Sequence, residues 1–351
     1  MKIGVLLSGG VDSSVALHLL KQSGAHELTA FYLKIWLEDE LAFLGDCPWE
    51  EDLKYARAVC EQAGIPLRVV PLQAEYQDRV VSYVLAELRA GRTPSPDILC
   101  NSWIKFGLFF DKIEPGFDKI TSGHYAQVEE HSGTFQLKRS PDPVKDQTYF
   151  LSRLTQAQLS QILFPIGHLT KAELRAKAHE LNLPNRDRPD SQGICFLGKI
   201  KYPEFVRFHL GEKHGEILDI DTGKKLGSHK GVWFHTVGQR KGLGMGGGPW
   251  YVVKKDLANN IVYVAHLESY LVHARSEFTI SNTHWIDVAP SDGESLLTKV
   301  RHSPRLEPAV IRQIEAERWQ VTLKEKDQGI AAGQSAVLYR GEFCLGSGTI
   351  D

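Results

Sequence analysis

Apolar residues over the first two hundred positions alternate between two textures: short continuous runs and stripes at helical spacing. Residues 2–7 form a short apolar run of the kind a buried strand makes, and Val15, Leu19 and Leu20 mark an amphipathic helix that ends at Gly24. Residues 28–36 read as a second strand. In 49–63, Leu53, Ala56, Val59 and Ala63 recur at helical spacing with Gly64 as the cap. A β-branched strand follows over 67–72, then a helix from about Glu75 to Ala90. This β-α-β-α-β order predicts an α/β domain with a doubly wound parallel sheet, its ligand at the carboxyl ends of the strands. The loop 8–14 is then the phosphate-binding end.

Beyond about Phe196 helical periodicity fades and glycines multiply, with short strands expected over 215–220 and 231–236. From about Ala274, alternation such as Trp319, Val321 and Leu323 against Gln320, Thr322 and Lys324 predicts the half-buried strands of a compact β-barrel. Three domains are therefore expected: 1–200 parallel-sheet, 201–273 small and β-rich, and 274–351 a C-terminal β-barrel.

At 351 residues, 42% hydrophobic and 24% charged, the chain has the make-up of soluble domains with substantial cores. No apolar run approaches a membrane span, and Ser8-Gly9-Gly10 and Asp12 interrupt the first apolar stretch too early for a signal peptide, so a cytoplasmic protein without membrane association is expected. The net charge of −2 supplies no global attraction to phosphate, so any nucleic-acid affinity must come from local basic surface and shape. Five cysteines, Cys47, Cys60, Cys100, Cys195 and Cys344, make no CxxC pair, and reduced thiols are the default.

Ser8-Gly9-Gly10-Val11-Asp12-Ser13-Ser14 joins the first strand to the first helix, where small residues let backbone N–H groups approach an anion. It lacks the GxxxxGK[ST] pattern of kinases and GTPases. Read without context, it is also a tight turn with Asp12 and the serines as caps. Pro94-Ser95-Pro96-Asp97-Ile98-Leu99-Cys100-Asn101 is a proline-stiffened turn entering a helix, which puts Asp97 and Cys100 on adjacent turns, an acid/base beside a thiol. Asp190-Ser191-Gln192-Gly193-Ile194-Cys195 is a second polar segment ending in a thiol. Two such thiols suit sulfur chemistry: one carries an extra sulfur as a persulfide and the other releases it by forming a disulfide. Alone, either is equally a small buried hydrophobe. Cys47, Cys60 and Cys344 read as structural.

The segment SGGVDSS resembles the PP-loop of the ATP pyrophosphatases. Together with Pro96 to Asn101, Gly123-His124-Tyr125-Ala126, Lys145-Asp146-Gln147-Thr148-Tyr149-Phe150-Leu151, Asp190 to Phe196, Gly238-Gln239-Arg240-Lys241-Gly242-Leu243-Gly244 and Cys344-Leu345-Gly346, it makes the chain resemble the tRNA-specific 2-thiouridylases (the MnmA family) over essentially its whole length. The resemblance implies a PP-loop ATPase domain whose ATP, with Mg2+, adenylates the 2-carbonyl oxygen of the wobble uridine of tRNA. Sulfur then replaces that oxygen and AMP is lost.

By the same resemblance Cys195 is the persulfide carrier, Cys100 the second cysteine, which either attacks the base or frees the sulfur, and Asp97 its acid/base, with a transient disulfide between Cys100 and Cys195. Leu6, Leu7, Ser8, Gly9, Gly10, Val11, Asp12 and Ser13 hold ATP with Leu33 and Gly123, and Asp12 is the residue placed to meet Mg2+, there being no dedicated metal site. Contacts to tRNA fall on Ser95, Pro96, Asp97, His124, Lys145, Asp146, Gln147, Arg301, His302 and Gln334. A persulfide donor, such as a cysteine desulfurase or sulfur-relay protein, is the implied second partner. Read by residue type alone, Gly123 is also a turn, Leu33 a core residue, His124 a structural histidine and Lys145 a surface charge; Arg240 and Lys241 suit a mobile loop on RNA or ordinary turns. Two rival readings remain: an amide-forming or argininosuccinate-type ligase, which needs the loop but no thiols, and a non-catalytic RNA-binding or sulfur-carrier protein.

Overall fold

The computed structural model describes residues 1–24, 26–35, 49–190 and 201–351. Cys47 and Cys195 lie outside them, as do all of residues 191–200.

The first sheet is parallel. β1 (Lys2–Leu6), β2 (Glu27–Lys34), β3 (Leu67–Pro71), β4 (Lys119–Thr121) and, after the hairpin of β5 (Ala126–His131) and β6 (Thr134–Arg139), β7 (Ile162–Leu163) lie in the order β3-β2-β1-β4-β7. The order reverses at β1, so the crevice opens at its carboxyl end, where the loop 8–14 begins, as the sequence predicts. Helices Val11–Gln22 and Trp49–Ala63 cover one face; Ile3, Val5, Leu17, Leu53, Ala56 and Val59 pack there as one core cluster. The other face carries the run Gln73–Tyr76, Gln77–Val81 and Ser82–Arg89, whose middle section is a π-helix, and the run from Pro96–Leu99 through the π-helical Cys100–Leu108. Burying one leucine-sized side chain contributes about 1.5–3 kcal/mol, so these two faces dominate the stability of the domain.

β8 (Gly215–Asp219), β9 (Lys225–His229), β10 (Trp250–Asp256) and β11 (Ile261–His266) form a four-stranded sheet. The segment expected as a strand over 231–236 is instead a 3-10 turn, Val232–Phe234: Gly231 at φ +148 breaks the extended backbone before it. A helix not expected from the sequence, Tyr202–Leu210, precedes this sheet with Pro203 in its first turn and Phe205 and Val206 buried.

β12 (Arg275–Trp285), β13 (Glu294–Lys299), β14 (Glu307–Glu315), β15 (Arg318–Asp327), β16 (Ser335–Arg340) and β17 (Phe343–Ile350) close into a barrel in the order β12-β15-β14-β13-β16-β17, sealed by pairing of β12 with β17. In β15 Trp319, Val321 and Leu323 point inward and their neighbours outward, as the alternation predicts. The β5–β6 hairpin, turned by Ser132 and Gly133 at positive φ, adds to this sheet through β6 and β17. The barrel is therefore joined to the first domain by main-chain hydrogen bonds as well as by side chains.

Candidate active site

Between β1 and the helix Val11–Gln22 the chain turns through Gly9 at φ +78, and a Cβ there would stand 2.2 Å from the Asp52 carbonyl oxygen. Asn185 Nδ2 donates to Gly9 O at 2.8 Å and to Ser14 Oγ at 2.9 Å, and an Arg188 guanidinium nitrogen donates to Gly9 O at 3.1 Å while pairing with Asp52. The Ser8 N–H donates to Ser13 Oγ at 3.2 Å. Gly10 is the N-cap, and no side chain among the described residues caps this helix, so its first-turn N–H groups and the positive end of its dipole are left to an anion. At the end of β4, Gly123 runs so close to the loop that a Cβ would lie 2.5 Å from the Ser13 nitrogen. Leu6, Leu7 and Val11 are buried, so what they can offer a nucleotide is backbone; Leu33 is partly buried against the core.

Beside the loop stands a charge cluster that sequence reading missed. Lys171 Nζ lies 2.6 Å from Asp12 Oδ1 and 2.7 Å from Asp190 Oδ1. Asp190 also accepts from Lys145 Nζ and Arg175 NH2, each at 2.6 Å, and the Tyr125 hydroxyl donates to Asp12 Oδ1 at 3.2 Å. Three cations face two carboxylates, leaving positive charge next to the phosphate loop. Burial alone would raise the Asp190 carboxyl, but the hydrogen bonds from Lys145 and Lys171 outweigh it and hold the group below the usual carboxylate range. Burial and then Asp12 push the Tyr125 phenol up, so it stays a proton donor. Thr170 and Glu173 form a capping box that announces the helix Lys171–Glu180, yet nothing in that signal says which loop Lys171 faces. A carboxylate at Asp12 fits Mg2+, which takes one or two protein ligands and completes its shell with phosphate and water.

Pro96 starts the helix Pro96–Leu99, and Asp97 and Cys100 follow on successive turns as expected. Cys100 is 1% exposed, among Ile98, Ile104 and Phe106. Asn101 Nδ2 donates to Asp97 O at 3.0 Å and to Phe150 O at 3.2 Å. The Phe150 ring lies 4.6 Å from that of His302, whose Nε2 donates to Asp146 O at 3.2 Å. Burial lowers the His302 pKa more than that hydrogen bond raises it. Residues 145–151 thus reach the charge cluster through Lys145 and the thiol helix through Phe150. Cys195, and with it the expected disulfide, lies outside the described residues.

The expected tRNA contacts divide. The His124 ring lies 6.0 Å from that of Phe106 and 5.8 Å from that of Phe164, its Nδ1 is 2.7 Å from Ser122 Oγ, and burial keeps it neutral. Gln147 Oε1 accepts from the Tyr125 N–H at 2.9 Å. Asp146 is fully buried, and its carboxylate accepts from Lys299 Nζ at 2.8 Å, Arg139 Nε at 3.0 Å and Thr148 Oγ1 at 2.8 Å. The bond to Lys299 ties the segment 145–151 to the barrel. Arg301 is held by Asp327 at 2.7 and 2.9 Å. Arg240 and Lys241 are exposed. Cys60 and Cys344 are buried, as their structural reading predicts, with the Cys60 thiol pushed up to about 11 by burial and then by Glu61.

Three family models match successive parts of the chain: a tRNA methyl transferase HUP domain over residues 1–199, a tRNA methyl transferase PRC-barrel domain over 203–266 and an aminomethyltransferase β-barrel domain over 275–350. The chain is 46% identical over 356 residues to the tRNA-specific 2-thiouridylase MnmA of Parabacteroides distasonis, an alignment that covers 100% of this chain and 99% of that one. It is 43% identical over 363 residues to the tRNA-specific 2-thiouridylase MnmA of Porphyromonas gingivalis, with 100% and 99% covered. Among solved structures, the U34-tRNA thiolase NcsA from Methanococcus maripaludis aligns at 17% identity over 55% of this chain and 60% of its own, with a TM-score of 0.33, a likeness too slight to argue from. With its first 199 residues matched by one model and its whole length by these relatives, the chain belongs to the family of tRNA-specific 2-thiouridylases, the MnmA family.

Proposed function

We propose that the chain is a tRNA-uridine 2-sulfurtransferase that thiolates the wobble uridine at the expense of ATP. ATP lies on the loop Ser8 to Ser13 and beside Leu33 and Gly123, with Mg2+ met by Asp12. The uridine 2-oxygen attacks the α-phosphorus, and pyrophosphate leaves beside Lys145, Lys171 and Arg175. Adenylation turns a poor leaving oxygen into a good one. The terminal sulfur of a Cys195 persulfide then attacks the base carbon, and the C–O bond breaks with its electron pair leaving on AMP. Cys100, deprotonated by Asp97, attacks the Cys195 sulfur; the persulfide S–S bond breaks toward the base, leaving a 2-thiocarbonyl on the base and a Cys100–Cys195 disulfide on the protein. A thiol reductant and a persulfide donor, such as a cysteine desulfurase or a relay protein, reset the enzyme. Ser95, Pro96, Asp97, His124, Lys145, Asp146, Gln147, Arg301, His302 and Gln334 receive the anticodon loop, the uridine leaving its stack to be attacked.

The observation that carries this reading is the link from Asp12 of the phosphate loop, through Lys171, to Asp190, in the segment that leads to Cys195. It supports a nucleotide loop working beside the segment that leads to Cys195. The test is to replace Cys100 and Cys195 by serine, one at a time. Each variant is expected to bind tRNA as the parent does and to form no 2-thiouridine; thiolation retained in both would remove the persulfide route.

A further inference from the structure

Tyr125 is 1% exposed, and its ring shares one apolar cluster with Val11 and Val15 of the helix that follows the phosphate loop and with Leu174 of the helix Lys171–Glu180. The two helices are thus joined through this ring, and close packing fixes where its hydroxyl stands. That hydroxyl donates to Asp12 Oδ1 at 3.2 Å, and Lys171 Nζ donates to the same oxygen at 2.6 Å. Neither bond uses Oδ2. The main chain of Tyr125 is tied down as well: its N–H donates to Gln147 Oε1 and its carbonyl oxygen accepts from the Gln147 N–H, each at 2.9 Å. The residue therefore rests on the segment 145–151 through its backbone and meets the carboxylate beside the phosphate loop through its phenol.

An aspartate carboxylate turns about its last torsion at little cost, so its two oxygens hold fixed directions only where donors fix them. Of the two donors here, Lys171 reaches Oδ1 on a flexible stem and is shared with Asp190, whereas the Tyr125 hydroxyl is carried on a ring set in the core. From this we infer that Tyr125 is a positioning residue for the Mg2+ that accompanies ATP: it holds the Asp12 carboxylate by Oδ1 and keeps Oδ2 for the metal. It acts through Asp12 and is not itself a ligand. The inference rests on the reading of Asp12 as the residue that meets Mg2+.

The test is Tyr125→Phe, which keeps the ring and removes the hydroxyl. Calorimetry of ATP binding to the tRNA-free protein, once with Mg2+ and once with EDTA, gives the factor by which the metal strengthens ATP binding. Losing the bond that orients the ligand is expected to cut this factor roughly threefold to tenfold, while binding in EDTA stays within about twofold of the parent. Asp12→Asn is the reference: it should remove most of the factor, and Tyr125→Phe added to it should change the factor no further, because no ligand is left to orient. A factor unchanged in Tyr125→Phe but lost in Asp12→Asn would overturn the positioning role alone. Equal weakening of ATP binding with and without metal would overturn it too, as the mark of a merely structural residue, and so would a further fall in the double variant. A factor that survives Asp12→Asn would overturn the reading of Asp12 and the inference together.

Discussion

A single side-chain atom can be decisive where backbone meets backbone. Gly123→Ala would place a Cβ 2.5 Å from the Ser13 nitrogen, a contact that neither the strand nor the loop can relieve cheaply. The variant should lose ATP binding, measured by calorimetry, by at least about tenfold, because displaced loop N–H groups no longer converge on phosphate. Lys171→Met leaves Asp12 and Asp190 without their shared cation. Losing one charge-assisted hydrogen bond costs about 1.5–3 kcal/mol, so tRNA-dependent AMP release should fall by roughly tenfold to a hundredfold, read by quenched-flow assay. Asp146 gives the pH test. Burial would raise its carboxyl, but Lys299, then Arg139 and Thr148, hold it below the usual range. A folded pKa below the unfolded one means this stabilisation is complete above about pH 4 and is lost as pH falls through the folded value. Denaturation midpoints of the parent should therefore drop on acidification below that point, with a smaller acid dependence in Asp146→Asn.

At the scale of elements, the barrel and the first domain share one polar seam. Lys299 of β13, fully buried, reaches Asp146 in the segment that also carries Lys145, Gln147 and Phe150. Lys299→Met strands a buried carboxylate with Arg139 and Thr148 as its remaining partners. A cost of about 3 kcal/mol in chemical denaturation is expected, with thiolation falling further than stability explains as 145–151 loosens. Much of this architecture was legible beforehand. The strand-helix alternation around Ser8 to Ser14 and the inward Trp319, Val321 and Leu323 follow from local periodicity, which sequence carries directly. The 3-10 turn at Val232 and the nine-residue helix at Tyr202 were missed because short stretches of apolar texture do not separate strand from helix. Lys171, Asn185 and Arg188 were missed for another reason: they reach the phosphate loop across more than a hundred positions of chain, and no spacing rule encodes such a contact. The buried state of Asp146 was hidden likewise, since its partner Lys299 lies in another domain.

For the molecule as a whole, three units are built around one bridge, residues 145–151, between a nucleotide loop and a thiol helix. The formal charge of −2 supplies no global attraction to phosphate, so the proposed tRNA binding rests on local cations and shape. Binding should accordingly weaken only shallowly with salt, with a log–log slope corresponding to about four phosphates or fewer, and replacing the exposed Arg240 and Lys241 by alanine should flatten it further. The central claim is that the wobble uridine is activated through its own oxygen before sulfur arrives. A tRNA carrying heavy oxygen at the uridine 2-carbonyl, incubated with the protein, ATP, Mg2+ and a persulfide donor, tests it directly by mass spectrometry of the AMP released. Labelled AMP formed together with 2-thiouridine is the predicted result; 2-thiouridine accompanied by unlabelled AMP would contradict the account.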